Sequence, residues 1–256
     1  KDFAGSDLDA ALIATPHKFL FPYALQCLCA GKHVLVEKPG ALNSEDLREL
    51  KKEAEQKKLS LMVGLNYRFF DSIGRVKAII ESGKIGDLLH IRLRHGQAGR
   101  AGYDKEWRMN KDVAGGGVLM DHGIHDIDLV NHISSAKNFL LAGATSNLFW
   151  QAPVEDNAFI MLKNDRGQIA SLHMSLTEWK PIFSFEIFGK NGYCAINGLG
   201  RKYGGSEILR VGVKDSEGQI KEEEIVCNPE VENSFKAELE EFINSMEVGH
   251  NPAPGI

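Results

Sequence analysis

Residues 33–40 read HVLVEKPG, a continuous apolar run that a proline and a glycine stop abruptly. A short run without polar alternation predicts a strand that is covered on both faces of its sheet. Two further apolar runs lie at residues 8–15 and 59–68, and helical patterns at 18–30 and 44–58 separate the three runs. Strands that alternate with helices of this length predict βαβ units and a parallel sheet.

Both helical segments carry boundary signals. Gly31 follows the first segment and fits a left-handed C-cap. Ser44 is predicted to cap the second segment, whose acidic residues come early and whose lysines come late, as the helix dipole favours. The first 70 residues therefore read as part of a doubly wound α/β domain.

The pattern changes after about residue 70. We predict a helix at 73–83, a half-exposed strand at 87–97 and a helix at about 115–135. Turn signals then separate a series of predicted strands, and a last helix follows at 233–248. The predicted strands are 139–150, 155–163, 168–177, 182–189, 192–197, 206–213 and 219–227.

These elements predict an α/β chain in two parts. Residues 1–70 would be the C-terminal part of a Rossmann-type domain with a partial parallel sheet, and residues 71–256 an α+β domain with a large open antiparallel sheet. A doubly wound domain usually has about six strands, whereas three precede the change of pattern. We therefore expect a fragment that is truncated at both ends.

The composition excludes several classes of protein. The chain has 43% hydrophobic and 25% charged residues and a net charge of -5, which is ordinary for a globular protein and gives no basic footprint for nucleic acid. No apolar run approaches the ~18 residues of a membrane span. The four cysteines form no CxxC pair, so we expect buried reduced thiols and a cytoplasmic protein.

Several polar residues follow the predicted parallel strands. Thr15 and Pro16 follow the first strand, and Glu37 and Lys38 end the second. The carboxyl ends of parallel strands face the ligand crevice of open α/β sheets, so these residues are candidates for lining a site. The structural alternatives are an ordinary βα turn and a lysine that pairs with Glu37 or reaches solvent.

Residues 115–128 read GGGVLMDHGIHDID, with three glycines before a dense group of ionisable side chains. On an α-helix Asp121, His125 and Asp128 share one face, whereas His122 points about 100° away from Asp121. An acid–base site, a metal site that adds His122 or Asp128, and a polar helix face all remain open, although the spacing does not match HExxH. The glycines predict a helix start whose N–H groups a ligand can approach.

Three of these motifs, in this order, resemble the Gfo/Idh/MocA family of NAD(P)-dependent oxidoreductases. They are VLVEKP at 34–39, NYRFF at 66–70 and the glycine-aspartate-histidine stretch at 115–128. LDAALIATP, SGKIGDLLHI and NPAPG are similar as well, so the resemblance extends over nearly the whole chain.

The resemblance implies a Rossmann domain followed by an open-sheet domain, and hydride transfer at a hydroxyl or carbonyl carbon of a sugar, sugar nucleotide or cyclitol. It implies that Lys38 contacts nicotinamide and substrate, that Asp121 orients the substrate and that His125 is the general base. A histidine pKa near neutrality would suit that role. Further candidates are Trp107 and Arg108 for substrate, and Thr15, Pro16, Glu37, Lys38, Asn66 and Arg68 for cofactor.

NAD or NADP is the expected cofactor, and the choice stays open because the family's GxGxxG loop and its ribose-reading acid are not in this sequence. Leu20 stands where the family often has a histidine. We expect a sugar-type small-molecule substrate, a homo-oligomer formed through the antiparallel sheet, no metal, and no nucleic-acid or membrane partner. The alternatives are a non-catalytic sugar-binding relative and a metal-dependent lyase or hydrolase that uses Asp121, His122 and His125.

Overall fold

A computed structural model describes residues 6–227, 233–249 and 252–254. The first sheet has three parallel strands in the order β1 (Ala10–Ile13), β2 (His33–Glu37) and β3 (Leu61–Gly64). All three run in the same direction, so the segments that follow them meet at one edge of the sheet. The predicted parallel sheet is confirmed.

Helices cover both faces of this sheet. α1 (Leu20–Cys29), which a 3₁₀ turn at His17–Phe19 precedes, and α2 (Ser44–Lys57) bury one face around Val34 and Val36. α6 (Ser234–Val248) covers the other face, where its Phe242 packs on Leu35 and Met62. The alternation of Val34, Leu35 and Val36 between the two cores explains why β2 is apolar throughout.

The N-cap of α2 differs from the prediction. The side chain of Asn43, one residue earlier than expected, accepts a hydrogen bond from the backbone N–H of Asp46 at 2.8 Å. Ser44 is the first helical residue, and its hydroxyl donates to Glu45 instead. Asparagine is as good an N-cap as serine, so the residue types alone did not separate these two neighbours.

A second sheet of eight strands holds the rest of the chain. Its order is β11-β10-β9-β8-β4-β7-β6-β5. The strands are β4 (Leu88–Gly96), β5 (Asn138–Ser146), β6 (Asn157–Asn164), β7 (Ile169–Ser175), β8 (Ile182–Gly189), β9 (Gly192–Leu199), β10 (Tyr203–Lys214) and β11 (Ile220–Cys227). The predicted fold class is confirmed.

One pairing departs from the predicted antiparallel sheet, because β4 lies between β8 and β7 and runs parallel to β7. Parallel neighbours need a long crossover, and residues 97–168 provide it. The predicted strand at 139–150 also ends early, at Ser146, because Asp156 accepts hydrogen bonds from three backbone N–H groups of the following loop.

Only one face of the eight-stranded sheet is covered by the helices that the structure describes. α3 (Asp71–Glu81) and α5 (Ile124–Ser134) supply Ile73 and Leu129, among others, to the core on that face. The short α4 (Lys111–Ala114) lies between them in the chain. On the other face Phe159 and Met161 are 52% and 40% exposed. The division at residue 70 stays a prediction, and α6 returns from the second part of the chain to the parallel sheet.

Candidate active site

Lys38, which follows a strand of the parallel sheet, and Asp121, from a helical segment of the second part of the chain, meet at the carboxyl edge of the parallel sheet. Lys38 directly follows β2, and its Nζ donates to the backbone carbonyl of Asp121 at 2.6 Å and to the Asp121 carboxylate. The two side chains are only 15% and 16% exposed. A pair this sheltered from water holds both charges in fixed positions.

The helix that carries Asp121 does not begin as a regular α-helix. Residues Leu119–Gly123 form a π-helical turn, and α5 follows directly. His122, within this turn, lines the same cavity as Asp121 and His125. The prediction that His122 points away from the site was wrong, and π turns are frequent at functional sites.

His125 is a buried, neutral imidazole against an aromatic ring. Its ring stacks on Tyr67 with centroids 3.9 Å apart and planes at 11°, and its Nδ1 has no hydrogen-bond partner among the described residues. Burial first, and then the charge of Lys38, lower the pKa of His125 well below its ordinary value. The expected near-neutral pKa is therefore wrong, and the ring is a neutral imidazole at neutral pH.

Asp121 is held in its charged form. Burial alone would raise the pKa of its carboxyl, but Lys38, His122 and Arg108 together bring that pKa well below the usual range. The Nε atom of Arg108 lies 3.9 Å from Asp121 Oδ2. The site therefore keeps an ionised carboxylate between two cations.

A layer of polar side chains lies beneath the cavity wall and was not predicted. The N–H at Nδ1 of His95 donates to Oδ1 of Asp126 at 2.9 Å, and both side chains are fully buried. Nε2 of His95 lies 3.5 Å from the Tyr67 hydroxyl, and the His95 ring stacks on His122 at 4.4 Å. His95 continues the buried positions of β4, so strand alternation was the signal that could have found it.

The three glycines before the helix pack against the protein itself. A side chain at Gly117 would place Cβ 2.0 Å from the backbone oxygen of Glu155. Oε1 of Glu155 accepts hydrogen bonds from the N–H groups of Gly117 and Leu119 at 2.9 and 3.1 Å. The helix start is thus capped internally, and the prediction that its N–H groups meet a ligand was wrong.

Trp107 supports the site from outside the cavity. Its ring lies under the Arg108 guanidinium at 4.6 Å and contacts the edge of His17, with ring centroids 4.9 Å apart. The N–H at Nδ1 of His17 donates to the carbonyl of Ala114 at 2.9 Å. Of the two predicted substrate residues in this loop, Arg108 lines the cavity and Trp107 packs behind it.

The predicted cofactor residues separate into two groups. Thr15, Pro16 and Asn66 follow strands of the parallel sheet, and Glu37 is the last residue of β2. The buried Thr15 hydroxyl has no partner among the described residues. An unpaired buried hydroxyl at this edge fits the polar groups of a dinucleotide. Arg68, by contrast, forms a two-point ion pair with Asp128 at 2.7 and 2.5 Å.

Asn66 and Glu37 also connect this edge to α6. The amide of Asn66 donates to the Ser234 hydroxyl at 2.9 Å. Glu238, one turn further along α6, is 4% exposed, and burial together with the nearby Glu37 raises its pKa to about 8. Burial also raises the pKa of Glu37 itself.

A cavity of about 580 Å³ lies between the parallel-sheet edge and the second sheet. Its walls combine the residues already described with side chains from the 97–108 loop and the β9–β10 turn. They include Glu37, Lys38, Asn66, Tyr67, Gln97, Arg100, Tyr103, Arg108, Asp121, His122, His125, Arg201, Lys202, Tyr203 and Phe235. All three predicted catalytic residues therefore face one space.

Two family models match this chain. Residues 3–65 match the oxidoreductase family with an NAD-binding Rossmann fold, and residues 73–195 match the GFO/IDH/MocA C-terminal domain. The first match covers the three-stranded parallel sheet, and the second covers the chain from α3 to β9. The chain belongs to the Gfo/Idh/MocA family of oxidoreductases.

Two curated relatives align with most of this chain at moderate sequence identity. The chain is 28% identical over 189 residues to 1,5-anhydro-D-fructose reductase of Ensifer adhaerens, which covers 73% of this chain and 56% of the relative. It is 29% identical over 194 residues to trans-1,2-dihydrobenzene-1,2-diol dehydrogenase of Mus musculus, with coverages of 75% and 56%. The chain thus spans about half the length of the curated relatives it matches.

Solved structures agree on the fold. A levoglucosan dehydrogenase in complex with NADH superposes with a TM-score of 0.87 at 22% identity, covering 98% of this chain and 74% of that one.

Within the described ranges, no helix combines the length and apolarity required to cross a membrane. Residues 6–227, 233–249 and 252–254 also contain no group of three histidine, cysteine or acidic side chains placed to hold a metal ion.

Proposed function

We propose that the protein transfers hydride between NAD or NADP and a hydroxyl or carbonyl carbon of a sugar-type substrate. The observation that carries this proposal is the Lys38–Asp121 pair in one cavity with a neutral His125, at the carboxyl edge of the parallel sheet. Membership of the oxidoreductase family and the sugar and diol substrates named in its relatives support the same class of reaction.

Each side chain would have one task. His125, neutral because of its burial, accepts the hydroxyl proton of the substrate. The Lys38 ammonium stabilises the negative charge that develops on that oxygen, and Asp121 fixes the position of the ammonium. A bound nicotinamide ring supplies the hydride acceptor or donor, and Thr15, Pro16, Glu37 and Asn66 are the residues proposed to hold it.

The test compares the full-length protein with its His125→Gln variant by following NADH and NADPH absorbance across a panel of sugars and cyclitols. Glutamine keeps the approximate size of the side chain but cannot take up the proton, so we expect kcat to fall about 10²–10⁴-fold. Equal measurable rates would mean that His125 is not the base, and no turnover by the parent on any substrate would support a non-catalytic sugar-binding relative.

We also propose a cytoplasmic homo-oligomer assembled through the open face of the eight-stranded sheet. Exposed Phe159 and Met161 on that face favour contact with a second copy. The proposed cytoplasmic location is supported by the four cysteines, which are free thiols. A Phe159→Glu/Met161→Glu variant should have a smaller mass by light scattering, whereas Val248→Glu, an exposed apolar position on α6, should not. An unchanged mass in the double variant would contradict this interface.

A further inference from the structure

The rim of the cavity has more cationic than anionic side chains, whereas the chain as a whole has a net negative charge. Five cationic side chains line the cavity, against two carboxylates, those of Glu37 and Asp121. The cationic residues are Lys38, Arg100, Arg108, Arg201 and Lys202. The chain as a whole has a net charge of -5, so this excess is local.

The nearby acids neutralise only part of this charge. Lys38 is paired with Asp121. Glu106 lies 2.7 Å from Arg100 and 3.6 Å from Arg108, so one carboxylate serves two guanidinium groups. Burial raises the pKa of Glu37, and the adjacent Lys38 lowers it. The lining of the cavity together with Glu106 therefore contains five cationic side chains and three carboxylates.

The turn between β9 and β10 is firmly anchored below two of these cations. The backbone N–H of Gly200 donates to Oε2 of the buried Glu207 at 2.9 Å, and Oε1 of the same carboxylate accepts from the N–H of Ser72 in α3 at 2.9 Å. Arg201 and Lys202 follow directly, and the Lys202 ammonium lies 5.0 Å above the Tyr203 ring. A fixed turn that presents two cations to a cavity is suited to recognising an anion.

We propose that Arg108, Arg201 and Lys202 form a subsite for an oxyanion group on the substrate, a carboxylate or a phosphate. Guanidinium groups bind both groups through paired hydrogen bonds, and a cavity rim of one sign raises the local concentration of an oppositely charged substrate. This proposal rests on the proposed function, because it names the class of substrate for the same cavity. The three cations belong to loops of the second sheet, whereas the proposed cofactor residues follow β1 to β3.

The experiment uses matched substrates with the full-length protein. Each neutral sugar is paired with its aldonate or uronate and with its phosphate ester, for example glucose with glucuronate and glucose 6-phosphate. We expect kcat/KM to be about tenfold or more higher for one of the anionic partners, since hydrogen bonds to charged groups are the strong ones. Whether the carboxylate or the phosphate series responds identifies the group.

An Arg201→Gln/Lys202→Gln variant should remove this preference by raising KM about tenfold more for the anionic substrate than for its neutral partner. The matched control, Lys190→Gln/Lys221→Gln, removes two exposed cations outside the cavity and should leave all constants unchanged. A preference for neutral sugars, or a rise in cofactor KM that is equal for all substrates, would overturn the proposal.

Calorimetric titration separates this proposal from the proposed function. Suppose that no substrate pair is turned over, but that glucuronate or glucose 6-phosphate binds the parent more tightly than it binds the double variant. The anion subsite then stands and the redox function fails. Binding that is equally weak in both proteins overturns the subsite.

Discussion

The cavity wall and the polar layer beneath it handle charge in opposite ways. In the wall Lys38 and Asp121 are both ionised and neutralise each other, and Arg108 adds a further cation. In the layer below, burial raises the pKa of Asp126, and its partner His95 is fully enclosed. The charged side chains of the wall can stabilise charge that develops on a reacting group, whereas the side chains of the layer hold the rings in position.

His125 belongs to both regions. One side of its ring faces the cavity, and the other stacks on Tyr67, whose hydroxyl approaches His95. The ring of His125, the proposed proton acceptor, is thus positioned by a stacked ring on one side, while burial and the Lys38 charge keep it neutral. Substitutions in the wall should therefore reduce the rate, and those in the layer should reduce stability or shift pH profiles.

The largest effect on rate is expected for Lys38→Met in the wall. Methionine keeps the length of the side chain but removes the ammonium that stabilises the developing oxyanion, so kcat should fall about 10²–10³-fold. Lys57→Met, which breaks a partly exposed ion pair with Glu53 on α2, is the matched control. If Lys38→Met kept its kcat and lost only stability, Lys38 would belong to the scaffold.

The second prediction tests whether the glycines at the start of the helix have a structural role. Gly117→Ala should lower the free energy of unfolding by about 3 kcal/mol or more, because the new methyl group overlaps the Glu155 backbone. Gly74→Ala in α3 meets no atom within 4 Å and should stabilise the protein by about 0.5–1 kcal/mol. Urea unfolding measures both, and equal effects would contradict the close approach.

Stability should depend on pH through Glu238. Its folded-state pKa of about 8 lies above the ordinary glutamate value of 4.5, so between these two values the folded state binds more protons than the unfolded state. Stability from this group therefore falls as pH rises from about 4.5 to 8 and is constant outside that window. Glu238→Gln should flatten the slope and stabilise the protein by roughly 1–3 kcal/mol at pH 8.

Urea unfolding at pH 5 and pH 8 measures this slope. Glu240→Gln on the same helix is the control, because that side chain is exposed and forms only a surface pair with Lys236. A slope that survives in Glu238→Gln would assign the pH dependence to other carboxyl groups.

Much of the fold and of the cavity wall could be predicted from the sequence. Periodicity predicted the parallel sheet and the later strands, because covered and half-covered strands have different patterns. Lys38, Asp121 and His125 were predicted from strand ends and helical spacing together with the family resemblance. His122 was left out of the site because helical spacing gives the angle between neighbouring side chains but not the extent of the cavity that they line.

The polar layer was missed for a different reason. Tyr67, His95 and Asp126 are distant in sequence, and only the tertiary fold brings them together. Strand alternation places His95 on the buried face of β4 but does not show which side chains of other elements it meets there. Contacts that depend on the packing of several elements cannot be derived from local spacing.

The smallest expected effect separates the two contacts of Tyr67. Tyr67→Phe keeps the ring that stacks on His125 and removes only the hydroxyl 3.5 Å from His95, so kcat should change about threefold or less. Tyr67→Leu removes the stacked ring as well and should lower kcat about tenfold, because His125 loses its fixed orientation. The pH profile of kcat/KM distinguishes positioning from a merely structural role: it should shift in Tyr67→Leu and stay unchanged in Tyr67→Phe. A shift in the phenylalanine variant would instead mean that the hydroxyl connects the electrostatics of His95 to the cavity wall.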